Sequence, residues 1–252
     1  MRKISATIIT LNEACDIKDC LESLRWVDEI IIVDSGSTDC ALDICRQYNA
    51  KIFINPWRGY VNQKNYALEK ASHEWIISLD ADERLSEQLT KQIKETLMQK
   101  EIEADGYFMP RRTFYLNKWI NHGGWYPNYQ LRLFRRDKGS WQGDDPHDYV
   151  KINGATGYLS GDILHYSYKD INDHLTKIAL YTSIMAKGEF EKGATFRFSN
   201  LMIKPIAKCM NMYIIKLGFL DGFQGIAIAF LGAYYVFLKH LTLWEIESCK
   251  KQ

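Results

Sequence analysis

The chain has 252 residues, 46% of them hydrophobic, enough for one large α/β domain with an appendage or for two small domains. Its 32 basic and 31 acidic residues leave a net charge of +1, which gives no sign of a nucleic-acid partner. The six cysteines (Cys15, Cys20, Cys40, Cys45, Cys209 and Cys249) form no CxxC pair and no metal-ligand spacing, so they are expected to be reduced packing residues of a cytosolic chain. No apolar leader follows Met1-Arg2-Lys3, and the catalytic part is expected to stay in the cytoplasm.

The first half alternates strand and helix. Ile4–Thr10 is an apolar run of strand length, and Glu13–Leu24 has helical spacing through Ala14, Ile17, Leu21 and Leu24. Glu29–Asp34 is a continuous β-branched run, the pattern of a strand covered on both faces. A turn at Ser35-Gly36-Ser37-Thr38 leads into a helix that reaches Tyr48. Lys51–Asn55 reads as a third strand, Tyr60–Ala71 as a helix and Trp75–Asp80 as a fourth strand. Repeated βα units predict a largely parallel, doubly wound sheet whose ligands bind outside the carboxyl ends of the strands. Three of these ends are polar or acidic: Thr10-Leu11-Asn12-Glu13, Asp34-Ser35-Gly36-Ser37 and Asp80-Ala81-Asp82.

The last of these is the most telling. Two carboxylates one residue apart repel and raise each other's pKa unless a cation neutralises them. A hard ion such as Mg²⁺ or Mn²⁺ suits such a pair, because it takes oxygen ligands from one or two carboxylates and from substrate phosphates. The competing reading is that Asp82 caps the following helix.

After a helix around Glu87–Gln99 the texture changes. Gly106–Arg111, Gln130–Arg135 and Gly157–His165 read as strands of a mixed extension, and Trp119–Tyr129 as a Gly-Gly loop carrying aromatic rings. From Asp170 the pattern is helical. Asp173–Phe190 is one helix, and residues 196–240 hold apolar blocks broken by Pro205, Gly218, Gly222 and Gly225. Gly225–Leu238 is an uncharged stretch shorter than the roughly 20 residues of a membrane span. With Lys204, Lys208, Lys216, Lys239 and His240 flanking the blocks, an interfacial or re-entrant membrane contact is expected. A buried helical hairpin or a homo-oligomer interface is the alternative.

The motifs Thr7–Glu13, Ile32–Asp39 and Leu79–Glu83 resemble those of the family 2 glycosyltransferases of GT-A fold. Gly59-Tyr60 with Gln63-Lys64-Asn65, Gln130–Arg135 and Gly218–Gly222 are similar to a narrower branch, the bacterial lipopolysaccharide inner-core glucosyltransferases that add β-1,4-glucose to a heptose. The resemblance implies an α/β GT-A catalytic domain over residues 1–168, with nucleotide-sugar binding in 1–100 and the acceptor side in 101–168. A helical, membrane-associating segment over 169–252 follows. It further implies an inverting, metal-dependent enzyme on the cytoplasmic face of the bacterial inner membrane, with a UDP-sugar donor, a lipid-linked core oligosaccharide acceptor, and Mg²⁺ or Mn²⁺ as cofactor.

By that resemblance Asp34 hydrogen-bonds the nucleotide, Thr10, Leu11, Asn12 and Glu13 contact base and ribose, and Asp80 and Ala81 lie against the ribose. Asp82 is the more direct metal ligand, and His165 is a candidate to complete the metal shell. Inverting transfer also needs a base for the acceptor hydroxyl. Pro146-His147-Asp148 stands where the branch has Val-His-Glu, which makes Asp148 the base by alignment, with Asp144 and Asp145 as competitors. A solvated acidic turn is the bland reading of this cluster. Lys64 is a candidate for the diphosphate or the nucleotide, or a residue of a solvated helix face. Arg111, Arg112, Arg132, Arg135 and Arg136 are candidates for acceptor phosphate or carboxylate, for which Arg offers planar paired donors. Strand alternation puts Arg132 and Arg135 on opposite faces, so at least one is expected to be structural. Trp125 and Tyr126 either stack on a sugar or pack a corner. The rivals are transfer of another sugar, a polyprenyl-linked acceptor, and a sugar-nucleotide-binding scaffold without turnover. A nucleotidyltransferase is disfavoured, since no Gly-rich basic loop follows the first strand.

Overall fold

Continuous β-branched runs become strands covered on both faces. In the computed structural model, which describes residues 1–144 and 147–249, β1 (Ile4–Thr10), β2 (Glu29–Asp34), β3 (Lys51–Ile54) and β4 (Trp75–Asp80) are parallel, in the order β3-β2-β1-β4. The register aligns Thr10 with Asp34 and Ile9 with Asp80, so the three polar strand ends reach one edge as expected. Helices α1 (Ile17–Ser23), α2 (Ala41–Gln47) and α3 (Tyr60–Lys70) link these strands, and α4 (Glu87–Met98) follows, capped by Ser86 and not by Asp82. Helix α1 starts later than the spacing predicts. The Asp39 carboxylate takes the Ala14 N–H at 2.9 Å, and the Glu13 carbonyl closes a turn with Asp16 and Ile17. The cysteines are free thiols, but only some of them pack: Cys20 and Cys45 are buried, whereas Cys15, Cys40 and Cys249 are exposed on the outer faces of their helices and turns.

The mixed extension comprises β5 (Glu83–Leu85), β6 (Gly106–Tyr115), β7 (Lys118–Trp119), β8 (Asn128–Arg135), β9 (Gly139–Asp144), β10 (His147–Ile152), β11 (Thr156–Tyr158) and β12 (Ile163–His165). Strand β8 lies antiparallel beside β4, and β6 antiparallel beside β8. The predicted strand Gly157–His165 is split into β11 and β12. Gln92 Oε1 captures the N–H groups of Ser160 and Gly161, and Gly161 presses on the Leu89 backbone so closely that a Cβ would sit 2.5 Å from it. Asp145 and Pro146 lie outside the described residues.

The chain forms two compact units, Met1–Arg112 with Asn128–Tyr166, and Thr113–Pro127 with Ser167–Gln252. Unit 1 has a core on each face of its sheet. One gathers Ile4, Ile8, Leu21, Trp75, Leu89 and Ile93, the other Ile31, Val33, Ile76, Leu131, Phe134 and Trp141.

Unit 2 holds α5 (Ile171–Glu191), α6 (Phe198–Met210), a π-helical turn (Asn211–Ile215), a 3₁₀ turn (Gly218–Asp221) and α7 (Phe223–Cys249). Its core of Tyr115, Ile120, Met212, Ile228 and Ala229 is small. Neither Pro205 nor Gly225 ends a helix; the chain breaks instead at Leu217, which takes the left-handed conformation (φ 56°). Helix α7 runs through Lys239 and His240 for 27 residues, well beyond the 14-residue uncharged stretch, because those side chains interrupt the apolar run and not the backbone hydrogen bonding. Its length and its mean hydropathy of 1.6 over the most apolar 18 residues suffice for a membrane crossing by composition.

Candidate active site

The strand-end turns of unit 1 are stitched to one another. Asn12, in the left-handed conformation (φ 57°), donates its N–H to Ser37 Oγ at 2.8 Å and accepts from the Thr38 N–H at 2.8 Å through its side chain. Asp34 is fully buried, and its carboxylate accepts the Gly36 and Ser37 N–H groups at 2.7 and 2.8 Å and the Ser37 hydroxyl. Here Asp34 shapes its own turn, with Gly36 supplying the required φ of 104°. Leu11 is exposed at the rim, while Thr10 is buried and its hydroxyl has no hydrogen-bond partner. Glu13 closes the turn before α1 through its carbonyl.

Next to this rim lies a chain of buried charges. Lys64, on the first turns of α3, is 4% exposed and is thus no solvated face. Its ammonium bridges Asp80 Oδ1 and Asp148 Oδ2, each at 2.8 Å, and lies 4.4 Å from the Trp141 ring centre. Asn65 fixes β9 on α3 by bonding both the N–H and the carbonyl of Trp141. Arg132 reaches Asp80 Oδ2 at 2.8 Å and Glu83 Oε1 at 3.0 Å, and Arg111 reaches the same Glu83 oxygen at 3.0 Å. Glu83, fully buried, accepts the Asp80 N–H through its other oxygen. Burial pushes the Asp80 carboxyl up, but Arg132 and Lys64 outweigh it and hold it well below the usual carboxylate range. Arg132 is raised from its ordinary value: burial opposes its charge, and Asp80 and Glu83 more than offset that.

Asp82 stands across the tight turn from β12. Its carbonyl accepts the Tyr166 N–H at 2.9 Å, and its carboxylate lies 3.4 Å from His165 Nε2. His165 Nδ1 is buried without a partner. One carboxylate and one imidazole fit a divalent ion that draws its remaining ligands from diphosphate and water. Among the described residues no group of three or more His, Cys, Asp or Glu side chains is arranged to hold a metal ion by itself. Ala81, buried between the two aspartates, keeps the turn small.

The structure therefore brings Asp80, Lys64 and Asp148 together, and sets Asp82 beside His165. Arg135 lies apart from this group, paired with Glu74 at 3.2 Å and Asp105 at 3.6 Å. Arg112 faces Asp162 at 3.8 Å. Asp144 pairs with His147 in the β9–β10 register. Trp125 belongs to unit 2, stacked on Tyr168 and edge-on to Tyr115. No motif singles out Glu83 or Trp141, though a charged Arg132 inside the apolar run Leu131–Phe134 signals a buried acidic partner.

Residues 5–152 match the sequence profile of Glycosyl transferase family 2. The chain belongs to this family, with the mixed α/β GT-A architecture. It is 31% identical to the lipopolysaccharide core biosynthesis glycosyltransferase LpsC of Rhizobium meliloti, covering 98% of this chain and 94% of LpsC. It is 32% identical to an uncharacterized glycosyltransferase of Rickettsia felis, over 97% of this chain and 90% of that protein. The fold is similar to that of the mannosyltransferase PcManGT of Pyrobaculum calidifontis, solved with GDP-Man and Mn²⁺. The TM-score is 0.58 at 13% identity, covering 97% of this chain and 88% of the other.

Proposed function

We propose that this chain transfers a sugar, glucose from UDP-glucose, with inversion to a heptose of the lipopolysaccharide core. The carrying observation is the Asp80–Lys64–Asp148 bridge, which sets a carboxylate of the acceptor-side hairpin at the level of the donor-side strand end. The near full-length likeness to LpsC supports the lipopolysaccharide core as acceptor class.

In this reading the Thr10–Glu13 and Asp34–Ser37 turns hold the nucleotide, and Asp148 accepts the proton of the attacking hydroxyl. The new bond forms between that oxygen and the anomeric carbon as the bond to UDP breaks, its electron pair leaving with the diphosphate. Lys64 fixes the Asp148 carboxylate and adds positive charge near the leaving group. Asp82 and His165 would hold Mg²⁺ or Mn²⁺, which when bound offsets charge on the departing diphosphate. The exposed apolar side chains of α6 and α7, among them Ile203, Ile206, Phe223 and Phe230, together with Lys204 and Lys208, support docking on the cytoplasmic face of the inner membrane.

The test is a panel of UDP-sugars offered with truncated core acceptors, with and without Mn²⁺ or Mg²⁺. Release of UDP only in the presence of a heptose-ended acceptor, with glucose the favoured sugar, is expected. Full activity in EDTA, or with Asp82→Ala, would remove the metal from this account. Transfer from another UDP-sugar alone would replace glucose.

A further inference from the structure

Of the five guanidiniums expected to recognise acidic groups on an acceptor, four face carboxylates of the chain itself, Arg111 and Arg132 at Glu83, Arg135 at Glu74 and Asp105, and Arg112 at Asp162, while Arg136 is exposed. Unit 2 carries a different set of cations, gathered around the loop of His122, Gly123 and Gly124.

Asp221 organises this loop. It is 1% exposed, and its Oδ2 accepts the N–H groups of Asn121 at 3.1 Å and His122 at 2.7 Å. Its Oδ1 faces His122 Nδ1 at 3.3 Å and Lys118 Nζ at 3.9 Å, and its carbonyl accepts from Lys118 Nζ at 2.8 Å. A carboxylate facing Nδ1 orients the imidazole and leaves Nε2 for an outside partner, to which it donates when both ring nitrogens carry a proton. The His122 side chain is about one-third exposed (32%). The Lys216 carbonyl accepts the Gly123 N–H at 2.8 Å, which anchors the other side of the loop.

Gly123 and Gly124 have φ of 67° and 78°; Gly123 is buried with its N–H on the Lys216 carbonyl, whereas Gly124 is exposed and has no side chain to cover it. The Lys216 side chain lies over Gly124. A Cβ there would sit 2.6 Å from Lys216 Cδ and 2.9 Å from its Nζ. Lys216 is exposed, and its ammonium has no ion pair among the described residues. A lysine without a carboxylate, an imidazole held by a buried aspartate and the exposed Gly124 beside them make a receptor for a small oxyanion.

We propose that Lys216 and His122, beside the exposed Gly124, bind a phosphate or carboxylate group and, on the functional reading above, that this group belongs to the acceptor. Asp221 is then a positioning residue that acts through His122.

The test begins without catalysis. The full chain is titrated with inorganic phosphate, and separately with acetate, while the His122 ring resonance is followed by NMR and assigned by its loss in His122→Gln. A saturable shift is expected, weakened roughly tenfold in Lys216→Met, the loss of one charge-assisted contact. Lys216 is exposed, so this change leaves folding intact, which near-ultraviolet circular dichroism confirms. No saturable shift with either anion, or a shift unchanged in Lys216→Met, overturns the site. A response to phosphate alone or to acetate alone names the preferred group.

The second arm compares core acceptors with and without phosphate. A preference in kcat/KM for the phosphorylated acceptor that falls about tenfold in Lys216→Met supports the acceptor assignment. An unaltered preference overturns it. Should the chain transfer no sugar to either acceptor, the proposed function falls while the anion titration still stands or fails by itself.

Discussion

Unit 1 hides charge, whereas unit 2 shows apolar surface. In unit 1, Glu83, Arg132 and Lys64 are nearly or fully buried and every one has an opposite charge within 3.0 Å. In unit 2, large apolar residues such as Ile203, Ile206, Ile215, Phe223 and Phe230 are more than 60% exposed. Both patterns run against the usual partition of side chains. A buried ion pair gives little net stability, because desolvation consumes most of its attraction, but it fixes geometry once neither partner can leave. An exposed apolar patch of this extent gives nothing to a monomer in water and points to an outside partner. Unit 1 is thus arranged to hold carboxylates still, and unit 2 to meet something apolar.

The largest effect should come from Asp148, the carboxylate proposed as the base. Asp148→Asn is expected to lower sugar transfer by about 10²–10⁴-fold, the usual worth of a general base. UDP binding, measured by calorimetry, should persist. A variant that keeps its turnover would move the base away from the Lys64 bridge.

Removing the hub of the charge network should cost stability. Glu83→Ala leaves Arg132 buried with one partner fewer and deprives Arg111 of its carboxylate, and should destabilise unit 1 by about 3–5 kcal/mol in chemical denaturation. A loss within experimental error would mean that water solvates these groups, which would break the contrast between the units.

The apolar face should respond in the opposite way. Ile203→Glu with Ile206→Glu removes two exposed side chains, so folding stability should hardly change, while affinity for anionic lipid vesicles falls by about 2 kcal/mol per side chain. Vesicle co-sedimentation measures this. Unchanged vesicle binding, together with dissociation of an oligomer, would hand the face to a second copy of the chain.

The smallest effect concerns Glu29, at the opposite end of the sheet from the site. Burial pushes its carboxyl up, but hydrogen bonds from Lys51, Ser5 and Ser72 overcome this and lower it to about 2. Its folded pKa is depressed, so its contribution is fully present above the ordinary value of 4.5 and is lost as pH falls toward 2. Unfolding free energy measured from pH 6 downward should drop in that window, and Glu29→Gln should flatten the slope. An equal slope in both proteins would assign the acid sensitivity to other carboxylates.

Much of unit 1 was readable because its rules are local. A β-branched run such as Glu29–Asp34 permits little besides a covered strand, and alternation of strand and helix forces the polar strand ends to one edge. The pairing of Asp82 with His165 was also within reach. The carboxylate bridge was not. Nothing local to Tyr60–Ala71 distinguishes Lys64 from a solvated lysine, and its burial depends on Asp148, 84 residues on, and on Trp141. Helix α7 outran its apolar run because helix continuation depends on backbone hydrogen bonding, which the Lys239 and His240 side chains leave untouched.

The sequence by itself determined the parallel sheet and the edge on which the acidic groups converge, since periodicity and strand-end composition are properties of neighbouring residues, and its motifs carried the resemblance to the family. Tertiary structure decided which charge meets which: that Lys64 joins Asp80 to Asp148, that Arg132 is held by Glu83, and that Asp221 orients His122. Ion pairing is chosen by distance and desolvation, and both exist only after residues far apart in the chain have been packed together.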